Sequence, residues 1–205
     1  MALIKVCGIT RLSDAEFCAS TGVDFIGFIF VEKSPRKILP EECKIIISNL
    51  KNKIFKVGVF ADSSSQDIKK IVELCGLDYV QLHGNENPLE FKNFQYPIIK
   101  AFKTEKNIFS EIYKWKNIAK FLLFDNISGG TGLTFDWAII NDAKKEGKLE
   151  GFSFFIAGGL GPHNVKDVLK LSPDGIDFNS KLEIAPGIKD HKKIQKIVEI
   201  VRGSK

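Results

Sequence analysis

The sequence predicts an α/β protein with a single-domain (βα)8 TIM-barrel fold, and three observations support this prediction. Short apolar, β-branched or aromatic segments alternate with helix-length segments, which is typical of βαβ units around a parallel sheet. Eight such repeats occupy almost all of the 205 residues, so residues 1–205 are expected to form one domain. Closing the sheet into a barrel also removes the exposed edges of an open eight-stranded sheet.

The eight predicted strands are short apolar runs that follow one another along the chain. An open, doubly wound sheet is the structural alternative, but the first strand runs into Cys7-Gly8-Ile9-Thr10 and not into a Gly-x-Gly-x-x-Gly dinucleotide turn. The barrel is therefore favoured. Its predicted strands are Leu3–Cys7, Phe25–Phe30, Phe55–Phe60, Tyr79–Leu82, Ile98–Phe102, Phe121–Asp125, Phe152–Ala157 and Ile176–Phe178.

Helices are predicted in the gaps between the strands, and several local signals mark their ends. Ser13 and Glu16 have the spacing of a capping box, in which each side chain satisfies a free backbone N–H group. Pro40, followed by two glutamates, suits a first helical turn, and Pro162 predicts the start of the seventh helix in the same way. The last helix, near 191–201, has an apolar stripe that should face the sheet: Ile194, Ile197, Val198 and Val201.

Composition and charge exclude several classes of protein. The chain is 44% hydrophobic and 27% charged, as a soluble globular protein is. No apolar run approaches the roughly 20 residues of a membrane span, and the N-terminus lacks the features of a signal peptide, so a cytoplasmic protein without membrane contacts is expected. The net charge of +5 comes from scattered lysines, which fits a small anionic substrate better than a nucleic acid, because nucleic-acid binding needs clustered charge.

Polar residues end most of the predicted strands, and in a parallel barrel all carboxyl ends of the strands meet at one rim. The sequence therefore predicts a functional site at this rim. The residues expected there include Cys7, Arg36, Asp62, His83, Asp125, Gly158, Gly159, Asp177, Asn179 and Ser180.

Cys7 is a candidate base or nucleophile at the end of the first strand. It precedes Gly8, which lets other groups approach the backbone closely. Lys5 shares its strand face, and a nearby cation would favour the reactive thiolate. A small buried apolar role is the alternative for Cys7, and it is the preferred interpretation of the three cysteines in predicted helices: Cys18, Cys43 and Cys75. The four cysteines have no zinc-site spacing, so no metal is predicted.

Asp125 is a candidate general acid because it ends an apolar strand. A carboxylate that is partly desolvated holds its proton more readily, which suits it to acid catalysis. The glycine-rich segment 126–132 follows directly and is predicted to cover a substrate. Capping this turn is the alternative role for Asp125.

The remaining rim residues suit the binding of anions. Gly158 and Gly159 follow the seventh strand and residues 177–180 close the eighth, and the loops at these two positions commonly bind phosphate in barrels of this class. Arg36 is one of only three arginines; its planar fork suits a carboxylate, although a surface role is the alternative. We interpret His83 as a hydrogen-bonding residue of the rim, and a role as a proton carrier is the alternative.

Several motifs together make the chain resemble the phosphoribosylanthranilate isomerase family of the tryptophan pathway. They occur in the family's order and span nearly the whole chain. The motifs are KVCGIT at 5–10, GFIF-x3-SPR at 27–36, VGVF at 57–60, QLHG at 81–84, Asp125 with GGTG-x2-FDW ending at 137, AGGL-x-P-x-NV at 157–165 and PGIKD at 186–190.

This resemblance implies a barrel that performs a cofactor-free, metal-free Amadori rearrangement. The substrate would be N-(5-phosphoribosyl)anthranilate and the product 1-(2-carboxyphenylamino)-1-deoxyribulose 5-phosphate. Carried over onto matching positions, Cys7 would be the general base, Asp125 the general acid, and Arg36 the ligand of the anthranilate carboxylate. The phosphate and other substrate contacts would come from His83, Gly158, Gly159, Asp177, Asn179 and Ser180. Such an enzyme is expected to be a monomer or a homodimer.

Two departures from the family pattern and three rival functions remain. The segment 125–129 is short, and Lys181 stands where many members have glycine.

An indole-glycerol-phosphate synthase would need additional rim lysine and glutamate residues. A pentose-phosphate epimerase would need a metal-ligand set, for which the chain has only three histidines, His83, His163 and His191. A phosphate-binding barrel without catalysis is the non-enzymatic alternative.

Overall fold

The computed structural model describes residues 1–104, 108–126 and 137–203 and confirms the predicted barrel. Eight parallel strands pair in chain order, and β1 closes the barrel against β8. β7 is shorter than predicted because the Phe152 N–H donates to Leu149 in the preceding turn. The strands are β1 (Leu3–Val6), β2 (Phe25–Ile29), β3 (Phe55–Phe60), β4 (Tyr79–Leu82), β5 (Ile98–Lys103), β6 (Ala119–Asp125), β7 (Phe154–Ile156) and β8 (Gly175–Phe178).

Helices pack around this barrel in all but one of the gaps. Between β4 and β5 the chain forms only a short 3-10 helix, Pro88–Phe91, so the prediction of an α-helix in every gap is wrong there. Among the described residues, no helix is both long and apolar enough to cross a membrane. The helices are α1 (Leu12–Thr21), α2 (Pro40–Ser48), α3 (Ser65–Cys75), α4 (Ile108–Lys114), α5 (Ala138–Lys145), α6 (Val165–Leu169) and α7 (His191–Gly203).

The predicted capping box at the start of α1 is wrong. The N-cap is Arg11, which makes no side-chain cap hydrogen bond, so Ser13 already lies inside the first turn. Asp14 of the same segment is instead buried against the end of the chain. Its carboxylate accepts the backbone N–H of Lys189 at 3.1 Å and lies 2.8 Å from Nε2 of His191. Tertiary contacts thus replace the local cap.

Proline marks the start of one helix as predicted but not of another. Pro40 opens α2, and the Glu42 carboxylate accepts the Leu39 N–H at 3.1 Å. Pro162 does not open α6, which begins three residues later. The Asn164 side chain accepts from the Gly161 N–H and donates to the Gly159 carbonyl, and these two bonds close a turn before the helix can start.

The core has an outer layer between strands and helices and an inner layer that fills the barrel. The apolar stripe of α7 is buried in the outer layer, as predicted, and the four cysteine thiols are free and buried. Inside the barrel, the Phe25 and Phe155 rings meet edge to face, with centroids 5.8 Å apart. Gly175 makes room for Phe155, since a Cβ atom at this position would overlap the ring. The two rings fill the interior of the barrel beneath the rim.

Candidate active site

One cavity at the carboxyl end of the barrel brings together all the rim residues predicted from the sequence except Asp62, which lines a neighbouring cavity. Its volume is about 360 Å³. A larger cavity of about 620 Å³ lies at the opposite end, beside Asp24 and Phe55, and contains none of the predicted residues. The predicted residues that line the rim cavity are Cys7, Arg36, His83, Asp125, Gly158, Gly159, Asp177, Asn179 and Ser180.

Cys7 lies directly after β1, in a buried polar group with Lys5 and Asp177. The Cys7 N–H donates to the Phe178 carbonyl at 2.8 Å, which fixes the backbone at this point. Lys5 is fully buried and donates to Oδ2 of Asp177 at 3.0 Å. Gly27 lies against this group, because a Cβ atom there would stand only 2.7 Å from the Cys7 sulfur. The glycine of the GFIF motif therefore creates the space for the thiol.

Burial and nearby charges have opposing effects on the ionisation of this group. Burial raises the pKa of the Cys7 thiol, even though the nearby Lys5 ammonium acts to lower it. Burial also opposes the charge on Lys5, but Asp177 and Cys7 outweigh it and raise the pKa of Lys5. Lys5 thus favours the thiolate, as expected of a nearby cation, but desolvation of the thiol outweighs this effect.

Asp125 is oriented by the residues that directly follow β4 and β6. Its Oδ1 accepts the Asn126 N–H at 2.8 Å, and its Oδ2 lies 3.4 Å from Nε2 of His83. The other ring nitrogen of His83 lies 3.1 Å from the amide nitrogen of Gln81. If that amide donates, the Nε2 atom of a neutral His83 carries the hydrogen that faces Asp125. His83 is thus placed as a hydrogen-bonding residue of the rim.

The predicted cover of this site lies largely outside the described residues. Asn126 lines the cavity, whereas residues 127–136, which hold the glycine-rich motif, are not among the residues that the structure describes. Gly158 closes the other side of Asp125, because a Cβ atom there would lie 2.9 Å from Asp125 Oδ1. The close approach of the two loops therefore depends on this glycine.

Arg36 is buried and held by a carboxylate, not free at the surface. Its Nε and Nη2 atoms contact the Glu183 carboxylate at 2.7 to 3.0 Å. The same carboxylate accepts from Lys189 at 2.8 Å, and Lys189 also donates to Oδ1 of Asn179 at 3.0 Å. The surface alternative for Arg36 is thus wrong.

The loops after β7 and β8 present backbone and small polar groups to the cavity. Gly158 and Gly159 have φ angles of 86° and 65°, a conformation that side chains other than glycine rarely adopt. Asn179 and Ser180 stand opposite, at the start of a 3-10 helix of three residues, Ser180–Leu182. Lys181 lies in this helix, exposed and close to Gly161.

The family of the chain follows from its sequence as a whole. The family model of N-(5'-phosphoribosyl)anthranilate (PRA) isomerase matches residues 4–200. The chain belongs to this family. PRA isomerases are enzymes of tryptophan biosynthesis, and the match confirms the isomerase predicted from the motifs. The two rival enzymes and the non-catalytic barrel are therefore set aside.

Individual PRA isomerases resemble the chain over almost their full length. The enzyme of Syntrophus aciditrophicus is 38% identical over 207 residues, which cover 98% of this chain and 88% of the relative. A PRA isomerase solved in complex with reduced 1-(o-carboxyphenylamino)-1-deoxyribulose 5-phosphate is 30% identical, with a TM-score of 0.87. A monomeric form of the dimeric Thermotoga maritima enzyme is also 30% identical, with a TM-score of 0.84. Each structure covers 99% of this chain and 100% of its own.

Three further residues that line this cavity or contact its lining escaped the sequence analysis. Gln81 lines the cavity and contacts His83, whereas Glu183 and Lys189 hold Arg36 and Asn179 from behind. Gln81 and Lys189 do lie in the quoted motifs QLHG and PGIKD. Glu183 lies where many family members have the glutamate of an S-G-x-E pattern, but its contact with Arg36, 147 residues away in the chain, was not predicted.

Proposed function

We propose that this PRA isomerase converts N-(5-phosphoribosyl)anthranilate into 1-(2-carboxyphenylamino)-1-deoxyribulose 5-phosphate by an Amadori rearrangement catalysed by its own side chains. The observation that carries the proposal is the convergence of a thiol, a carboxylic acid, an arginine and two glycine-rich or polar loops on one cavity. These are the groups that an acid–base reaction of a substrate with a carboxylate and a phosphate requires.

The rearrangement needs one acid and one base. Asp125 donates a proton to the ring oxygen of the ribose, the C1–O bond breaks, and the anilino nitrogen forms an iminium ion with C1. Cys7, as the thiolate, removes the proton from C2, and the electron pair forms an enolamine. Protonation of C1 and loss of the hydroxyl proton at O2 then give the ketose. Because the iminium ion acidifies the C2 proton, side chains suffice for both transfers.

The other residues are proposed to bind the two ends of the substrate. Arg36 holds the anthranilate carboxylate through the guanidinium edge that Glu183 leaves open. Gly158, Gly159, Asn179 and Ser180 bind the phosphate. This role rests on the loops themselves, since α6 is only five residues long and starts beyond the turn. His83 and Asp177 contact the sugar, and the unpartnered Oδ1 of Asp177 is a ready acceptor for a hydroxyl group.

The proposed substrate contacts and the cysteines bear on how many chains the reaction needs and where in the cell it takes place. All the proposed contacts come from one chain, so one chain acting as a single domain over 1–205 is proposed to be sufficient, whether the protein is a monomer or a homodimer. The free, buried cysteines suit a reducing compartment, and the cytoplasm is the proposed location.

The proposed function is tested by turnover in the absence of available metal. PRA is generated in the cuvette from anthranilate and phosphoribosyl pyrophosphate by the corresponding transferase, and its conversion is followed by the loss of anthranilate-type fluorescence. Because side chains supply both proton transfers, activity is expected to persist after exhaustive treatment with a chelator. Loss of turnover that divalent metal restores would overturn the proposal.

Arg36→Met is expected to weaken substrate binding. Loss of one charge-assisted carboxylate contact corresponds to roughly 1.5–3 kcal/mol, which steady-state kinetics would record as a higher KM with a smaller change in kcat. Arg36→Lys should recover only part of the loss, because an ammonium cannot form the planar, two-pronged contact. Melting curves of both variants provide the control, since Arg36 also pairs with Glu183. An unchanged KM for Arg36→Met would remove the residue from the substrate site.

A further inference from the structure

A buried cluster of charged groups lies behind Arg36 and Asn179, the residues proposed to bind the substrate carboxylate and the phosphate. Glu183 and Lys189 face each other across an antiparallel hairpin formed by β9 (Glu183–Ala185) and β10 (Ile188–Lys189). Neither residue lines the cavity, but each contacts one that does. The hairpin is tied to the loop after β1 by the Thr10 hydroxyl, which donates to the Gly187 carbonyl at 2.6 Å.

Glu183 restricts the orientation of Arg36. Its carboxylate binds the Nε edge of the guanidinium at 2.9 and 3.0 Å and Nη2 at 2.7 Å. A two-pronged contact of this kind fixes the plane of the group as well as its position. The opposite edge, which carries Nη1, is left for a ligand in the cavity. Arg36 is therefore held in place before any substrate arrives.

Lys189 restricts the orientation of Asn179 in the same way. An ammonium can only donate hydrogen bonds, so the Asn179 atom that lies 3.0 Å from Nζ is the amide oxygen. This contact leaves the amide N–H groups as the donors available to an anion. The Lys189 side chain is fully buried, so the amide is held by a partner that is itself fixed.

The cluster also carries an excess of positive charge. Two cations, Arg36 and Lys189, share the single carboxylate of Glu183. Gly8 allows the Arg36 and Asn179 side chains to approach each other. A Cβ atom at this position would lie 2.7 Å from Asn179 Oδ1 and 2.8 Å from Arg36 Cδ. Arg36 and Lys189 therefore place positive charge beside the cavity, where it favours a substrate that carries a carboxylate and a phosphate.

We propose that Glu183 and Lys189 are positioning residues of this site, with Glu183 aligning Arg36 for the substrate carboxylate and Lys189 aligning Asn179 for the phosphate. The proposal rests on the function proposed above and adds two residues that touch no substrate atom. It implies that their effects on binding pass entirely through Arg36 and Asn179.

A double-mutant cycle tests the role of Glu183. Glu183→Gln is expected to raise KM about tenfold or more, as loss of a hydrogen bond to a charged group does, with kcat changed less than threefold. In an Arg36→Met background the same substitution should raise KM less than twofold, because the residue acts only through Arg36. Glu73→Gln, which breaks an exposed ion pair with Lys69, is the matched control and should leave KM unchanged. Equal effects of Glu183→Gln in both backgrounds would overturn the proposal.

Inhibition by the two halves of the substrate tests Lys189. Lys189→Met should weaken competitive inhibition by inorganic phosphate about tenfold while inhibition by anthranilate changes less than threefold, and Glu183→Gln should show the reverse pattern. Should Glu183→Gln fail to fold, Glu183→Asp keeps the charge but shortens the reach, and an intermediate KM is expected. Equal weakening of both inhibitors in each variant would reduce the pair to general structural support. Absence of turnover in the unmodified enzyme would instead refute the proposed function.

Discussion

Cys7→Ser is expected to lower kcat by about two to four orders of magnitude, the usual contribution of a positioned base. A serine hydroxyl keeps the size of the side chain but is too weakly acidic to act as a ready base. Fluorescence turnover measures the effect. Cys75→Ser is the matched control, since Cys75 is also buried but lies in α3 and bonds the Pro40 carbonyl. Near-normal turnover of a folded Cys7→Ser variant would place the base elsewhere, with His83 as the next candidate.

The pH dependence of the same reaction follows from the state of the thiol. Burial raises the pKa of Cys7 above its usual value, so only a small fraction is thiolate at neutral pH. Turnover needs Cys7 deprotonated and Asp125 protonated at the same time, so the pH profile of kcat/KM is expected to be bell-shaped, with an alkaline limb above the usual pKa of a cysteine. An alkaline limb that begins below the usual pKa of a cysteine would contradict the assignment of Cys7 as the base.

Asp125→Asn is expected to lower kcat over the same range of two to four orders of magnitude. The amide keeps the shape of the side chain and can still accept from the Asn126 N–H, but it has no acidic proton for the ring oxygen. Binding of a product analogue should change much less, because the carboxylate and phosphate contacts remain. Asp174→Asn at the opposite end of the barrel, where Asp174 accepts the Phe154 N–H, is the matched control. Unimpaired ring opening in Asp125→Asn would exclude it as the acid.

The two substitutions together report whether the groups belong to one sequence of proton transfers. β1 and β6 lie three strands apart around the barrel, so Cys7 and Asp125 approach the sugar from different sides. Residues that act as a unit give non-additive effects. The double variant is therefore expected to be less impaired than the product of the two single defects.

The strands and the rim were predictable from sequence because both depend on local patterns. Each strand buries apolar residues in the core, and the polar residue that follows marks the rim, as Cys7 and Asp125 illustrate. Helix starts were less predictable. At Ser13 the local capping pattern lost to contacts of Asp14 with Lys189 and His191, which lie at the other end of the chain.

The supporting residues of the site were not predictable, because they depend on how the chain returns on itself. Glu183 meets Arg36 only when the β9–β10 hairpin folds over the rim. The raised pKa of Cys7 was not predictable either, since it comes mainly from burial of the thiol, which the sequence does not show. A sequence shows which groups reach the rim but not which buried charges offset them.

The central claim, that this chain turns the sugar of its substrate into a ketose, is tested most directly by following one carbon atom. PRA made with carbon-13 at ribose C2 is converted by the unmodified enzyme in chelator-treated buffer, and the product is read by carbon-13 NMR. The labelled carbon is predicted to change from an alcohol carbon to a ketone carbonyl at the rate of fluorescence loss. A label that stays an alcohol carbon, in ribose phosphate released beside free anthranilate, would contradict the account.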